Sequence, residues 1–119
     1  MKNILSILMI LTFLIIPTTA LAGEGPMKLP EGAKAEAKKH NKEGIASWNK
    51  KDYKGALMHF SEASKIDGSS GEIHFNEAIC YDKIGQHGVA TKHFGVALKQ
   101  AGGNTKLLNS PILKGHLGM

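Results

Sequence analysis

The feature that most constrains this chain is an internal repeat with a period of 34 residues. Residues 56–63 read Ala-Leu-Met-His-Phe-Ser-Glu-Ala, and residues 90–97 read Ala-Thr-Lys-His-Phe-Gly-Val-Ala. When residues 37–70 are laid over 71–104 without a gap, nine positions carry the same residue. Such a period predicts an array of helical units, each too small to cover its own apolar face.

Each unit has the pattern of two helices joined by a short turn. Tyr53, Ala56, Phe60 and Ala63 fall on one helical stripe of residues 53–66. Turn signals interrupt the helical patterns at 50–52, 67–71, 85 and 102–104. We therefore predict an all-α fold with four helices and no strands, in units spanning 33–70 and 71–104.

The small and aromatic positions of both units resemble the tetratricopeptide repeat (TPR) family, as found in small exported bacterial proteins. The residues that carry the resemblance are Gly44, Tyr53, Ala56, Phe60 and Ala63 in the first unit and Ala78, Tyr81, Gly85, Ala90, Phe94 and Ala97 in the second. The first unit departs at Ser47 and Lys51, where the family has an aromatic residue and glycine, and His87 replaces an aromatic in the second. The resemblance implies two stacked helix hairpins, a fragment of an α-solenoid.

Close packing of helices explains why the sequence pattern of residues 56–63 recurs at 90–97. Small side chains such as Ala56 and Ala90 let two antiparallel helices approach, and Phe60 and Phe94 then fill the space between neighbouring helices. We expect both phenylalanines to be buried.

The last segment, 105–119, is expected to cap the open end of the second unit. Its apolar residues are Leu107, Leu108, Ile112, Leu113 and Leu117. Pro111 divides the segment, so we predict one or two short helices. Self-association would hide the same surface if the cap were incomplete.

The first 22 residues have the layout of a secretory signal peptide. One lysine precedes an apolar run from residue 4 to 16, and Ala20 and Ala22 place small residues before a cleavage point. The run is shorter than the roughly 20 residues of a membrane span. We predict export to the periplasm or medium, cleavage after Ala22 and no membrane attachment afterwards; an uncleaved anchor is the alternative. Residues 23–32, rich in Gly and Pro, are expected to form a flexible leader.

Composition narrows the class of partner. Loss of residues 1–22 would remove one lysine and no acid, which lowers the net charge from +5 to +4. All fourteen remaining basic residues are lysine, whereas nucleic-acid binders favour the bidentate guanidinium of arginine. We expect a protein or peptide partner in the cell envelope and no nucleic acid.

The TPR resemblance also implies a concave groove on the first helix of each unit. The positions carried over are Lys38, Asn41, Ile45, Trp48 and Asn49, then Glu72, Phe75, Ile79, Asp82 and Lys83. An apolar floor with a mixed-charge rim is typical of a surface that binds a peptide with one or two apolar anchors. The implied function is that of an adaptor. Packing of Trp48 beneath the leader is the alternative for that residue.

Six histidines raise a second hypothesis, the handling of a metal or haem in the periplasm. His40 and His74 share one repeat position, and His59 and His93 share another, which duplication of the unit explains without a ligand. We expect the first pair to lie between the helices of a unit and the second pair to be half exposed. No Cys-x-x-Cys-His motif for covalent haem is present. The pattern assigns no metal ligand and no cofactor.

Cys80 is the sole cysteine. We expect it to be a small buried helix contact, the alternative being an exposed thiol that forms a mixed disulfide. Neither Cys80 nor the recurring pair Glu43 and Glu77 comes with partners placed for catalysis, so we expect no enzymatic activity.

Overall fold

The computed structural model describes residues 23–119, which form six helices and no strand. The signal-peptide prediction concerns residues that lie outside this range. The helices are α1 (Ala35–Asn49), α2 (Tyr53–Ile66), α3 (Gly71–Lys83), α4 (His87–Lys99), α5 (Thr105–Leu108) and α6 (Pro111–Leu117). The predicted all-α fold is confirmed: α1 and α2 form hairpin 1, α3 and α4 form hairpin 2, and the two hairpins stack.

Side-chain caps and left-handed residues set the helix boundaries. The Asp52 carboxylate accepts a hydrogen bond from Gly55 N at 2.9 Å, and the Ser70 hydroxyl accepts one from Ile73 N at 3.2 Å. These contacts pair backbone donors that the first turn of a helix leaves free. The turns inside the hairpins use Lys51 with φ 63° and Gly85 with φ 87°. The same repeat position thus takes the left-handed conformation in both hairpins.

The seam between the helices is built as the repeat predicts. Phe60 and Phe94 are fully buried. A Cβ atom on Gly44 would stand 2.5 Å from Phe60 Cε1, so only glycine leaves room for this ring. Phe75 and Phe94 meet edge to face with ring centroids 5.6 Å apart. Small residues therefore let the backbones approach, and the aromatic rings fill the remaining space.

The cap, formed by α5 and α6, packs on hairpin 2. Ser110 starts α6 by accepting a hydrogen bond from Leu113 N at 3.2 Å, and Pro111 occupies the first helical turn, where its missing N–H costs nothing. Leu107 and Leu113 are fully buried against Phe94 and its neighbours. The cap therefore extends the apolar core of hairpin 2.

The leader, residues 23–32, is the part that departs from expectation. It has no regular secondary structure, as predicted, but it is packed rather than free. Met27 is only 5% exposed and joins the core cluster that contains Phe75 and Phe94. Met27 thus anchors a stretch that is otherwise rich in glycine and proline. Within residues 23–119, no helix combines the length and the apolar character that a membrane crossing requires.

Candidate functional site

The face formed by α1 and α3, the predicted groove, holds the leader. Asn76 on α3 binds the backbone of Met27 from both sides: its Oδ1 accepts from Met27 N at 2.7 Å, and its Nδ2 donates to Met27 O at 2.8 Å. Asn41 on α1 donates to the same carbonyl at 3.0 Å. Asn76 also donates to Asn41 Oδ1 at 2.8 Å, which locks the two amides together. Side-chain amides of α1 and α3 thus bind the backbone of the leader at Met27.

Further contacts fix the leader at both ends. Glu24 Oε2 accepts a hydrogen bond from Ile112 N of the cap at 2.7 Å. Leu29 packs on a cluster of α1, α2 and α3 residues that includes Ile73. Lys38 donates to the carbonyl of Glu31 at 3.2 Å. The leader therefore runs across the groove from the cap to hairpin 1.

The predicted groove residues of α1 take two roles. Asn41 is buried under Met27, and Trp48 is half-buried beside the leader, since a Cβ on Gly25 would lie 3.7 Å from its indole nitrogen. Lys38, Ile45 and Asn49 instead line an open cleft. The alternative for Trp48, packing against the leader, is the arrangement that the structure has.

The predicted groove residues of α3 lie mostly away from an open surface. Phe75 and Ile79 are buried in the core that Met27 completes. Glu72 accepts a hydrogen bond from Asn104 at 2.6 Å, ahead of the cap. Asp82 contacts His87 and His116 rather than the leader. Lys83 lies 5.9 Å from the ring centroid of Trp48 and 5.6 Å from that of Tyr53.

The open cleft beside the leader has a volume of about 720 Å³ and a basic lining. Its charged residues are Lys28, Lys38, Lys39, Lys42 and Glu31. Four lysines against one glutamate give this part of the groove an excess of positive charge. Sequence reasoning did not place Asn76 in the groove, because it directly follows the predicted groove residue Phe75 and adjacent residues of a helix do not share a face.

The histidines form three clusters with carboxylates. The first triad is His40, Glu43 and His59, the second triad is His74, Glu77 and His93, and the cap cluster is Asp82, His87 and His116. Sequence reasoning paired equivalent histidines of different units. It did not predict that the histidine and glutamate of the His-x-x-Glu pattern on one helix face the histidine on the next helix of the same hairpin. The signal was present, because residues three apart share a helix face.

The second triad carries opposed pKa shifts. The contact with the Glu77 carboxylate raises the pKa of His74, although burial acts against it. Burial lowers the pKa of His93, although Glu77 acts in the other direction. Glu77 therefore attracts one proton, and His74 is the favoured carrier.

The single thiol is buried as expected. Cys80 is fully buried in a cluster with Ala56 and Phe60. Burial, with a smaller effect of Glu77, raises the pKa of Cys80 to about 12. The thiolate, which is the reactive form, is thereby disfavoured.

Comparison with known proteins gives one informative likeness. No family model matches the chain. Sperm-associated antigen 1 of Homo sapiens, a TPR-containing protein, is 41% identical over 64 residues. The match fits a TPR-like helical repeat. It covers 54% of this chain and 7% of the relative, so this chain corresponds to a small part of that protein. This distant likeness supports a protein-interaction role in general.

Proposed function

We propose that the chain is an exported adaptor that binds an extended segment of a partner protein in the groove between α1 and α3. The observation that carries this proposal is the leader, a segment without helix or strand that lies in that groove. Asn41 and Asn76 bind its backbone, and Met27 fills an apolar site. Main-chain hydrogen bonds give affinity for any extended segment, whereas a side-chain pocket gives selectivity.

The chemistry of the partner follows from what the leader leaves unpaired. Glu31 of the leader forms an ion pair with Lys38 at 3.6 Å. Lys28 of the leader nevertheless lies in the same cleft as Lys39 and Lys42, so the leader places a positive charge beside other positive charges. A partner with an apolar anchor and acidic neighbours would replace that repulsion by attraction. We therefore propose a partner segment with a Met- or Leu-sized anchor followed by acidic residues, which displaces the leader. The chain would act by binding, without catalysis, and without nucleic acid.

A peptide titration tests the proposal. The full chain carrying Met27→Ala, which loosens the leader, is titrated with a labelled peptide of residues 23–32 and with the same peptide carrying Lys28→Glu. We expect both to bind, the second about fivefold more tightly at low salt, with the difference shrinking in high salt. Fluorescence anisotropy measures binding, and emission of Trp48 reports occupancy of the groove.

Matched variants locate the binding site. Lys38→Glu with Lys42→Glu should remove the preference for the acidic peptide, whereas Lys92→Glu with Lys99→Glu, on exposed positions of α4, should leave it. Met58→Ala, on a side chain that is 61% exposed, is the control for Met27→Ala. The proposal fails if neither peptide binds or if the acidic peptide gains nothing.

A further inference from the structure

The two triads repeat one constellation of metal-binding side chains in both hairpins. In each hairpin the first helix supplies a histidine and, three residues later, a glutamate, and the second helix supplies another histidine. Spacing of three residues puts the histidine and glutamate on one face, turned toward the neighbouring helix. Helix pairs in carboxylate-bridged metal bundles use the same kind of spacing.

The distances suit a single ion. Glu77 Oε1 lies 3.1 Å from His74 Nδ1 and 3.8 Å from His93 Nδ1. In the first triad, Glu43 Oε2 lies 3.1 Å from His59 Nδ1 and 3.8 Å from His40 Nδ1. Tetrahedral ligands that are each about 2.0–2.1 Å from zinc stand roughly 3.3 Å apart. The three ligand atoms of each triad lie within 4.8 Å of one another, so side-chain adjustments of about 1 Å would bring them to the separations that one ion imposes.

Buried atoms of these residues have no hydrogen-bond partner in the described part of the chain. They are Glu77 Oε1 and the Nδ1 atoms of His40, His74 and His93. The Glu77 side chain is only 7% exposed, so water cannot easily satisfy its oxygen. The other oxygen of this carboxylate, Oε2, accepts a hydrogen bond from the Ser61 hydroxyl at 3.4 Å. A buried carboxylate oxygen without a partner is costly, and native structures normally pair such atoms. This unpaired oxygen points toward the two histidines of the second triad.

The orientation of His74 adds a second argument. Its Nε2 lies 2.8 Å from the carbonyl oxygen of Gly68, and a carbonyl only accepts, so Nε2 carries a proton. In the neutral ring, Nδ1 then presents its lone pair to Glu77 Oε1, which is itself a lone-pair donor. Two such atoms 3.1 Å apart repel each other unless a positive charge lies between them, either a proton on Nδ1 or a metal ion. Metal-bound histidines use their other N–H in this way, on a backbone carbonyl.

We propose that each hairpin binds one divalent transition-metal ion through its triad. Two imidazoles and one carboxylate favour zinc or its neighbours over magnesium and calcium, which prefer oxygen ligands alone. Three protein ligands leave a fourth position for water. The His93 side chain is 25% exposed and that of His74 is 13% exposed, so solvent and ion reach the second triad.

The cap cluster provides an internal control. His87 Nδ1 and His116 Nε2 lie 2.7 Å and 2.9 Å from the same oxygen, Asp82 Oδ1, within hydrogen-bond distance. None of these three residues has an unpaired buried atom in the described part of the chain. The cluster is therefore complete without an ion, although its residue types match those of the triads.

Calorimetric titration of the purified full chain with zinc chloride tests the proposal. We expect two equivalents of zinc and no heat from magnesium. His74→Gln with His93→Gln should leave one equivalent, and His40→Gln with His59→Gln should leave the other. His87→Gln with His116→Gln, the matched control, should keep both. Cobalt(II) absorption in the visible range provides an independent measure of four-coordinate binding.

The results that overturn the proposal are equally defined. Absence of binding tighter than a Kd of about 100 µM overturns it, as does loss of zinc only in the His87 and His116 variant. If the parent chain binds only one equivalent of zinc, the histidine pair whose replacement leaves that binding unchanged is not a metal site. Glu77→Gln keeps the shape of the side chain and should weaken zinc binding at the second triad at least about tenfold. This variant tests the proposal even if the histidine variants fail to fold. Circular dichroism checks the fold of every variant.

Discussion

At the scale of single residues, Lys51 shows the cost of departing from the repeat. It is the one non-glycine residue with positive φ among residues 23–119, and it occupies the repeat position at which hairpin 2 has Gly85. A non-glycine residue in the left-handed region costs the folded state about 1–2 kcal/mol. Glycine avoids this cost, but its greater conformational freedom in the unfolded state offsets part of the gain in stability. The sequence shows that Lys51 departs from the repeat, but only its backbone angle shows that this departure strains the turn.

Lys51→Gly should therefore raise the free energy of unfolding, by about 0.5–1 kcal/mol. The neighbouring Lys50 has φ −88° and ψ 3°, which any residue adopts. Lys50→Gly should lower the free energy of unfolding by a similar amount, because it adds only chain entropy. Urea unfolding followed by circular dichroism measures both. Equal effects of the two substitutions would contradict the explanation from backbone strain.

At the scale of elements, the cap is joined to hairpin 2 by charge as well as by apolar packing. His116 of α6 contacts Asp82 of α3 and lies 2.9 Å from the Thr91 hydroxyl of α4. The packing of the cap leucines on hairpin 2 could be predicted from the apolar composition of residues 105–119. The position of His116 could not, because no periodic pattern relates a single residue of a short helix to two others.

The Asp82 contact predicts how stability depends on pH. Burial alone would raise the pKa of Asp82, but hydrogen bonds from His87 and His116 outweigh burial and lower this pKa below its ordinary value. A carboxyl with a lower pKa in the folded state stabilises the protein above its unfolded pKa, and this stabilisation is lost as pH falls through the folded value.

Asp82→Asn should thus reduce the free energy of unfolding at pH 6 by more than it does at pH 3. Urea unfolding of variant and parent at both pH values measures the difference. Thr91→Val removes a contact to the same histidine without removing a carboxyl and serves as the comparison. A constant effect of Asp82→Asn across this range would show that its charge does not hold the cap.

At the scale of the whole molecule, the repeat predicts the stacked hairpins, because alternation of small and aromatic residues is written into the sequence twice. The leader could not be predicted in the same way. Met27 and Leu29 are two apolar residues in a short segment rich in glycine and proline, so no periodicity shows that Met27 is buried. The triads could be predicted in part. The His-x-x-Glu spacing can be read from the sequence, but only the pairing of helices within a hairpin brings His74 and His93 together.

The anchoring of the leader predicts a large difference between two methionines. Met27→Ala should lower the free energy of unfolding by about 2–3 kcal/mol, since it empties a buried site. Met58→Ala should change it by less than about 0.5 kcal/mol, because Met58 is exposed. Urea denaturation of both variants tests this, and similar losses would show that Met27 is not part of the core.

The leader also has a mechanical consequence. It contacts Ile112 near the last turns of the chain and Lys38 in the first helix, so it ties the two ends of the helical stack together like a strap. A ligand that displaced the leader from the groove would also remove this connection between the cap and hairpin 1.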